Sequence, residues 1–225
     1  MRVAIFDFDG TIYKDETFQL MMDHLKDHPN VTGYDKFYRS IVPIYGLYKA
    51  KLYPESRMKA KLMWHYLRAF EGKTDQDVFQ FFAEVKDKIM SNLNEEVVKR
   101  LQDHHRDGYY TIVVSGAFTP FLNATIDELP FDRRIGTEIE YVDGVLPKRF
   151  KMSHMQGKEK MRTLENIFEG KEIDWDHSYG YGDSFSDLSF LNLVGHPVAV
   201  MPDEKLEAHA KKEGWEIMLD EHVKL

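Results

Sequence analysis

Val-Ala-Ile-Phe-Asp-Phe-Asp-Gly-Thr, residues 3–11, is the stretch that decides how this chain is read. An apolar run of strand length leads into two carboxylates, Asp7 and Asp9, and then at once into Gly10 and Thr11. Side chains alternate along a strand, so Asp7 and Asp9 share one side for as long as the extended form lasts. Gly10 lets the backbone turn sharply where the strand stops. Two carboxylates held this close repel each other unless a proton or a cation lies between them. The pattern therefore points to a divalent metal or to a split acid and nucleophile pair, which is chemistry rather than packing.

Beyond Thr11 the periodicity changes. From about Asp15 to about His105 the patterns are helical: Phe18, Met21, Met22 and Leu25 within 17–25, Met58, Leu62, Trp64, Tyr66 and Leu67 within 55–70, and Val78, Phe81, Phe82, Val85 and Ile89 within 75–90. Asn94 is placed to cap a further helix that has Glu95 and Glu96 in its first turn. The β-branched run Tyr109 to Val114 then predicts a buried parallel strand ending at Ser115-Gly116. Thr119 and Pro120 predict an N-cap and first helical position, and 137–148 reads as a hairpin turning at Asp143-Gly144. Helices are expected over 157–168 and 184–193, and short strands over 178–182, 197–200 and 215–218. Alternating strands and helices imply a parallel sheet with ligands at the carboxyl ends of its strands. The sheet is split in sequence by the helical stretch.

Three further groups carry candidate chemistry, two of them at such ends. Ser115 and Gly116 offer a hydroxyl and a backbone N–H, donors suited to phosphate oxygens. In Gly157-Lys158-Glu159-Lys160, Lys160 shares a helix face with the apolar Leu164 and Ile167, whereas Lys158 shares one with Arg162 and Glu165. Lys160 is therefore preferred as the buried cation, and Lys158 is the competitor. Gly182-Asp183-Ser184-Phe185-Ser186-Asp187 places one acid at a strand end, able to ligate a metal, and another one turn later, able to hold metal-bound water or orient the lysine. The ten histidines are scattered, and no histidine metal site is expected.

These motifs, in this order, resemble those of the haloacid dehalogenase superfamily, and the likeness extends over essentially the whole chain. The resemblance implies an α/β fold, a Rossmann-like parallel sheet core (1–14 and 106–225) with an all-helical cap inserted at 15–105. It implies a magnesium-dependent phosphatase in which Asp7 is the nucleophile, Asp9 the acid and base, and Lys160 the phosphate-binding cation. Asp7, Asp9 and Asp183 would hold the metal, with Asp187 behind them. A helical cap at this place is similar to the phosphoserine phosphatase branch. There Glu16 matches the glutamate that binds the substrate ammonium, and Arg57 is a loose match for the arginine that binds its carboxylate, with Arg39 or Arg68 as alternatives. Ser186 departs from that branch, which often carries asparagine at this position. The implied substrate is a small phosphomonoester, phosphoserine or a related amino-alcohol phosphate. The alternatives are a phosphotransferase or mutase acting on a sugar phosphate, and a phospholigand-binding module without turnover.

Composition narrows the partners. With 43% hydrophobic and 30% charged residues the chain has the balance of a soluble globular protein. A net charge of −8 argues against nucleic acid. No cysteine is present, so there is neither a disulfide framework nor thiolate chemistry. No apolar run reaches membrane-spanning length, and an acid pair already at position 7 leaves no room for a secretory leader. A cytoplasmic monomer or homodimer is the expectation.

Overall fold

The computed structural model describes residues 1–31 and 33–219. Among them six parallel strands form one sheet: β1 (Val3–Phe6), β2 (Tyr110–Phe118), β3 (Arg133–Thr137), β4 (Tyr179–Gly182), β5 (His196–Val200) and β6 (Glu216–Met218), in the order β3-β2-β1-β4-β5-β6. The first strand in sequence is central because it is apolar on both sides. Val3 and Ile5 join the core on one face, and Ala4 and Phe6 join the core on the other. Ile5 lies between Ile112 and Gly180 of its neighbours, so β4 ends one residue beyond β1, and Asp7 and Asp183 follow these adjacent strand ends.

Between β1 and β2 the chain forms α1 (Thr17–Asp27), α2 (Tyr34–Lys49), α3 (Glu55–Leu67), α4 (Asp75–Ala83), α5 (Lys86–Met90) and α6 (Glu95–Arg106). After β2 come α7 (Thr119–Thr125), α8 (Lys158–Phe168), α9 (Leu188–Leu191) and α10 (Glu204–Glu213). Met21, Leu62, Tyr66 and Phe70 from the helical stretch share one apolar core with Phe8, Phe118, Phe121 and Tyr181. The helices therefore do not close a core of their own. α4 and α5 pack against α7. α6 lies within the 15–105 stretch assigned to the cap, yet its buried residues Val97, Leu101 and His104 face the sheet, where His104 Nε2 stands 2.8 Å from the Tyr181 hydroxyl.

Four local expectations are corrected. The 75–90 helix breaks after Ala83 and resumes at Lys86, which keeps Val85 and Ile89 both buried against the neighbouring helices. The hairpin keeps its turn, with Asp143 and Gly144 both at positive φ and Val142 and Val145 exchanging backbone hydrogen bonds. Its arms are not strands, because Leu146 pairs instead with Gly72 and Lys73. β2 does not stop at Ser115 but runs on to Phe118, with an irregular register against β3. Thr119 is the first residue of α7 rather than its cap: its hydroxyl donates to Glu138 and accepts from Gly136 N–H.

Candidate active site

The sheet's carboxyl end opens into a cavity of about 290 Å³, roofed by α1 and α3. Asp7 lies on its floor, one residue beyond β1, with its N–H bound to Tyr181 O at 2.8 Å. The Lys160 ammonium reaches Asp7 Oδ1 directly and Asp187 Oδ1 at 2.7 Å. Lys160 is buried on the sheet-facing side of α8, and Lys158 is exposed. Asp187 also accepts from the Ser184 hydroxyl at 3.0 Å, so the residue that orients the lysine is itself held.

Oxygens of Asp7, Asp183 and Asp187 lie within 4.8 Å of one another. Gly10, at φ +72°, permits this closeness: a Cβ there would meet Asp183 Oδ2 at 2.4 Å. Burial opposes a charge on Lys160, but Asp187 and Asp7 outweigh it and hold the ammonium well above the ordinary lysine range. Burial raises the Asp7 carboxyl well above its ordinary value; Lys160 works against the rise, and Asp187 and Asp183 add to it. Asp183 is pushed up to about 7 by burial and then by Asp187. Two buried acids, Asp7 and Asp187, and the half-buried Asp183 set around one ammonium leave a deficit of positive charge. An all-oxygen donor set with that deficit fits a hard divalent cation such as magnesium.

Asp9 stands apart from that cluster. Its Oδ1 accepts the Thr17 N–H at 2.8 Å and its Oδ2 the Thr17 hydroxyl at 3.2 Å, so the N-terminus of α1 fixes it. Burial, then repulsion from Glu16, raises its carboxyl to about 6. Gly116 lines the cavity, while Ser115 is fully buried beneath it with its oxygen accepting from Ala117 N–H at 3.0 Å.

Under the roof the structure separates the expected residues. Glu16 lines the cavity. Arg57 and Arg39 are exposed and lie outside its lining, and Arg68 packs over Trp64 away from it. The cation facing the cavity from α3 is Lys59, which is held by Glu55 at 3.2 Å and raised by Glu16 and Glu55 against the effect of burial. His154 covers Gly116 and is pushed down to about 4 by burial, with Lys59 and Lys160 contributing, so it is neutral near pH 7. Gln156 lines the same wall, and its buried Oε1 has no hydrogen-bond partner. The apolar remainder is Phe18, Met21, Met58, Leu62, Met63 and Met155. Sequence reasoning missed Lys59, His154 and Gln156.

Residues 4–192 match the sequence profile of the haloacid dehalogenase-like hydrolases. The chain belongs to that family. Among its relatives is phosphoserine phosphatase SerB1 of Mycobacterium tuberculosis, 29% identical over 67% of this chain and 49% of that protein. This chain thus spans about half the length of that relative. A histidinol-phosphatase of Neisseria meningitidis is 26% identical over 96% of this chain and 97% of its own. A Bordetella pertussis protein of unknown function has the same fold, with a TM-score of 0.80 at 19% identity over 96% of this chain and 97% of that one. Phosphoserine phosphatase in its apo form gives 0.59 at 18% identity over 97% and 92%. Among the described residues no helix is long and apolar enough to cross a membrane.

Proposed function

We propose that this member of the family is a phosphatase that hydrolyses a small amino-alcohol phosphomonoester through an aspartyl-phosphate on Asp7. The observation that carries the reading is Asp7 on the cavity floor, paired with Lys160 and set among Asp183 and Asp187. In this account the Lys160 ammonium and the Gly116 N–H bind the phosphate. Ser115, Gly116's buried neighbour, braces the strand backbone there, its oxygen accepting from Ala117 N–H. An Asp7 oxygen attacks phosphorus, the ester P–O bond breaks, and the departing alkoxide takes the Asp9 proton. Asp9, now a carboxylate, removes a proton from water, which attacks the phosphorus, frees inorganic phosphate and restores Asp7.

A carboxyl held at about 6 suits both halves of that cycle, because it gives and regains a proton near neutral pH. Asp7, Asp183 and Asp187 would hold a magnesium ion, whose charge would reduce the repulsion between substrate phosphate and nucleophile. The helices of the 15–105 stretch would act as the cap that selects the leaving group and excludes water.

For the leaving group, Glu16 would take the ammonium of phosphoserine and Lys59 its carboxylate, the task loosely matched to Arg57 in the sequence. A second reading is favoured by the apolar wall of Phe18, Met21, Met58, Leu62 and Met63, which suits a larger amino alcohol such as histidinol. The whole-length likeness to a histidinol-phosphatase supports it too. Phosphate release from phosphoserine, histidinol phosphate, phosphoethanolamine and a sugar phosphate, with and without magnesium, tests both readings. Turnover of an amino-alcohol phosphate that EDTA abolishes supports the proposal. Turnover of the sugar phosphate alone overturns it.

A further inference from the structure

The far end of α1 carries a second cluster that the hydrolytic site does not use. His24 and His28, four residues apart on the last turn of α1 and just past it, share one face. Glu84 comes from the break between α4 and α5. His24 Nε2 and His28 Nε2 each lie 3.2 Å from the same atom, Glu84 Oε2, and the three donor atoms are all within 4.8 Å of one another; His24 Nε2 also stands 3.1 Å from Phe81 O, a contact that a bound metal would replace. Both imidazoles pack on Phe81, with ring centroids 4.4 Å and 5.0 Å away, so their orientations are fixed by packing before any ligand arrives. Their side chains are 15% and 11% exposed, while Glu84 is 41% exposed, which leaves one side open to solvent.

We propose that His24, His28 and Glu84 form a transition-metal site that takes zinc, separate from the all-oxygen cluster at Asp7. Zinc bonds of about 2.0–2.1 Å put neighbouring tetrahedral donors about 3.3–3.4 Å apart, close to the nitrogen-to-oxygen separations seen here. Two imidazoles and one carboxylate form the His₂Glu set that zinc accepts readily and that magnesium, which prefers oxygen donors, does not. Water at the open side would complete four ligands. Such a site departs from the expectation of no histidine metal site: the His24–His28 spacing puts both rings on one helix face, and the third donor arrives only through tertiary packing. Bound zinc would tie the end of α1 to the α4–α5 break, which packs on α7 beside the sheet.

The test is titration of the full-length, metal-stripped protein with zinc and with cobalt in the presence of saturating magnesium. The expected result is one equivalent of zinc bound beyond what His28→Gln and Glu84→Gln take up. Cobalt should show the strong visible bands of a four-coordinate nitrogen-containing site in wild type and in Asp183→Asn. Loss of one donor should weaken zinc by more than about 100-fold, since even outer partners of a ligand are worth about 10–100-fold. Circular dichroism establishes that the variants are folded, and the imidazole proton shifts of wild type on adding zinc give a reading that needs no variant. Zinc stoichiometry unchanged in both variants, or His24 and His28 resonances unmoved by zinc, would overturn the assignment.

Discussion

Gly10→Ala tests the geometry of the hydrolytic site with a single methyl group. Two effects are combined at this position. The backbone φ of +72° costs an L side chain about 1–2 kcal/mol, and the new Cβ would lie 2.4 Å from Asp183 Oδ2 and 2.7 Å from its Cγ. The carboxyl is the free end of a side chain, so it would swing aside by about 1 Å to regain ordinary contact. That movement costs little stability, but a misplacement of about 1 Å is worth about 100-fold in rate. Gly108→Ala isolates the first effect, because its φ is +76° and no heavy atom lies within 4 Å of the added methyl. Urea denaturation should show both variants losing about 1–2 kcal/mol. Phosphate release should fall about 100-fold in Gly10→Ala and stay at the wild-type rate in Gly108→Ala. Full activity in Gly10→Ala, or equal losses in both, would refute the placement of Asp183.

Other expectations follow from the same cluster. Lys160→Met leaves Asp7 and Asp187 buried without their ammonium and should abolish turnover and destabilise the metal-free protein by about 3–5 kcal/mol, read by denaturant melts in EDTA; an unchanged midpoint would contradict the ion pair. Thr17→Val removes one of the two bonds to Asp9 and should cost about 1 kcal/mol of stability while slowing turnover more than it weakens substrate binding; a pure rise in KM would contradict the role of Asp9. Asp9 at about 6 and Asp183 at about 7 are raised above their unfolded values near 3.8, so the folded protein binds more protons than the unfolded chain between those limits. Without metal, stability should therefore fall as pH rises from about 4 to 7, and magnesium should raise the melting temperature more at pH 7.5 than at pH 5.5. A magnesium effect independent of pH would count against carboxylate ligation.

Much of this was legible because the informative residues sit on regular elements. β1 is apolar on both faces, which marks a central parallel strand, and the two acids that follow it fall at its carboxyl end. Helix-face counting distinguishes Lys160 from Lys158, and the structure buries the first and exposes the second. The same counting applied to α3 would have marked Lys59, which stands three and four residues before Leu62 and Met63, instead of the exposed Arg57. His154 and Gln156 lie in an irregular segment with no periodicity to read, and only the folding of 138–157 across Gly116 brings them to the cavity. The extension of β2 past Ser115 was hidden because Ser-Gly resembles a strand end, whereas Ala117 and Phe118 remain buried and keep the strand going. Glu84 belongs to the same class, since the helix break that turns it toward α1 answers to tertiary packing.

The central claim is that Asp7 carries the phosphoryl group. Acid-quenching the wild-type enzyme during turnover of its best amino-alcohol phosphate, then mapping peptides by mass spectrometry, tests it most directly. The account predicts a phosphorylated peptide whose modified residue is Asp7, with both the phosphopeptide and phosphate release absent from Asp7→Asn. A phosphoryl group on another residue, or wild-type phosphate release from a sequence-verified Asp7→Asn, would contradict it.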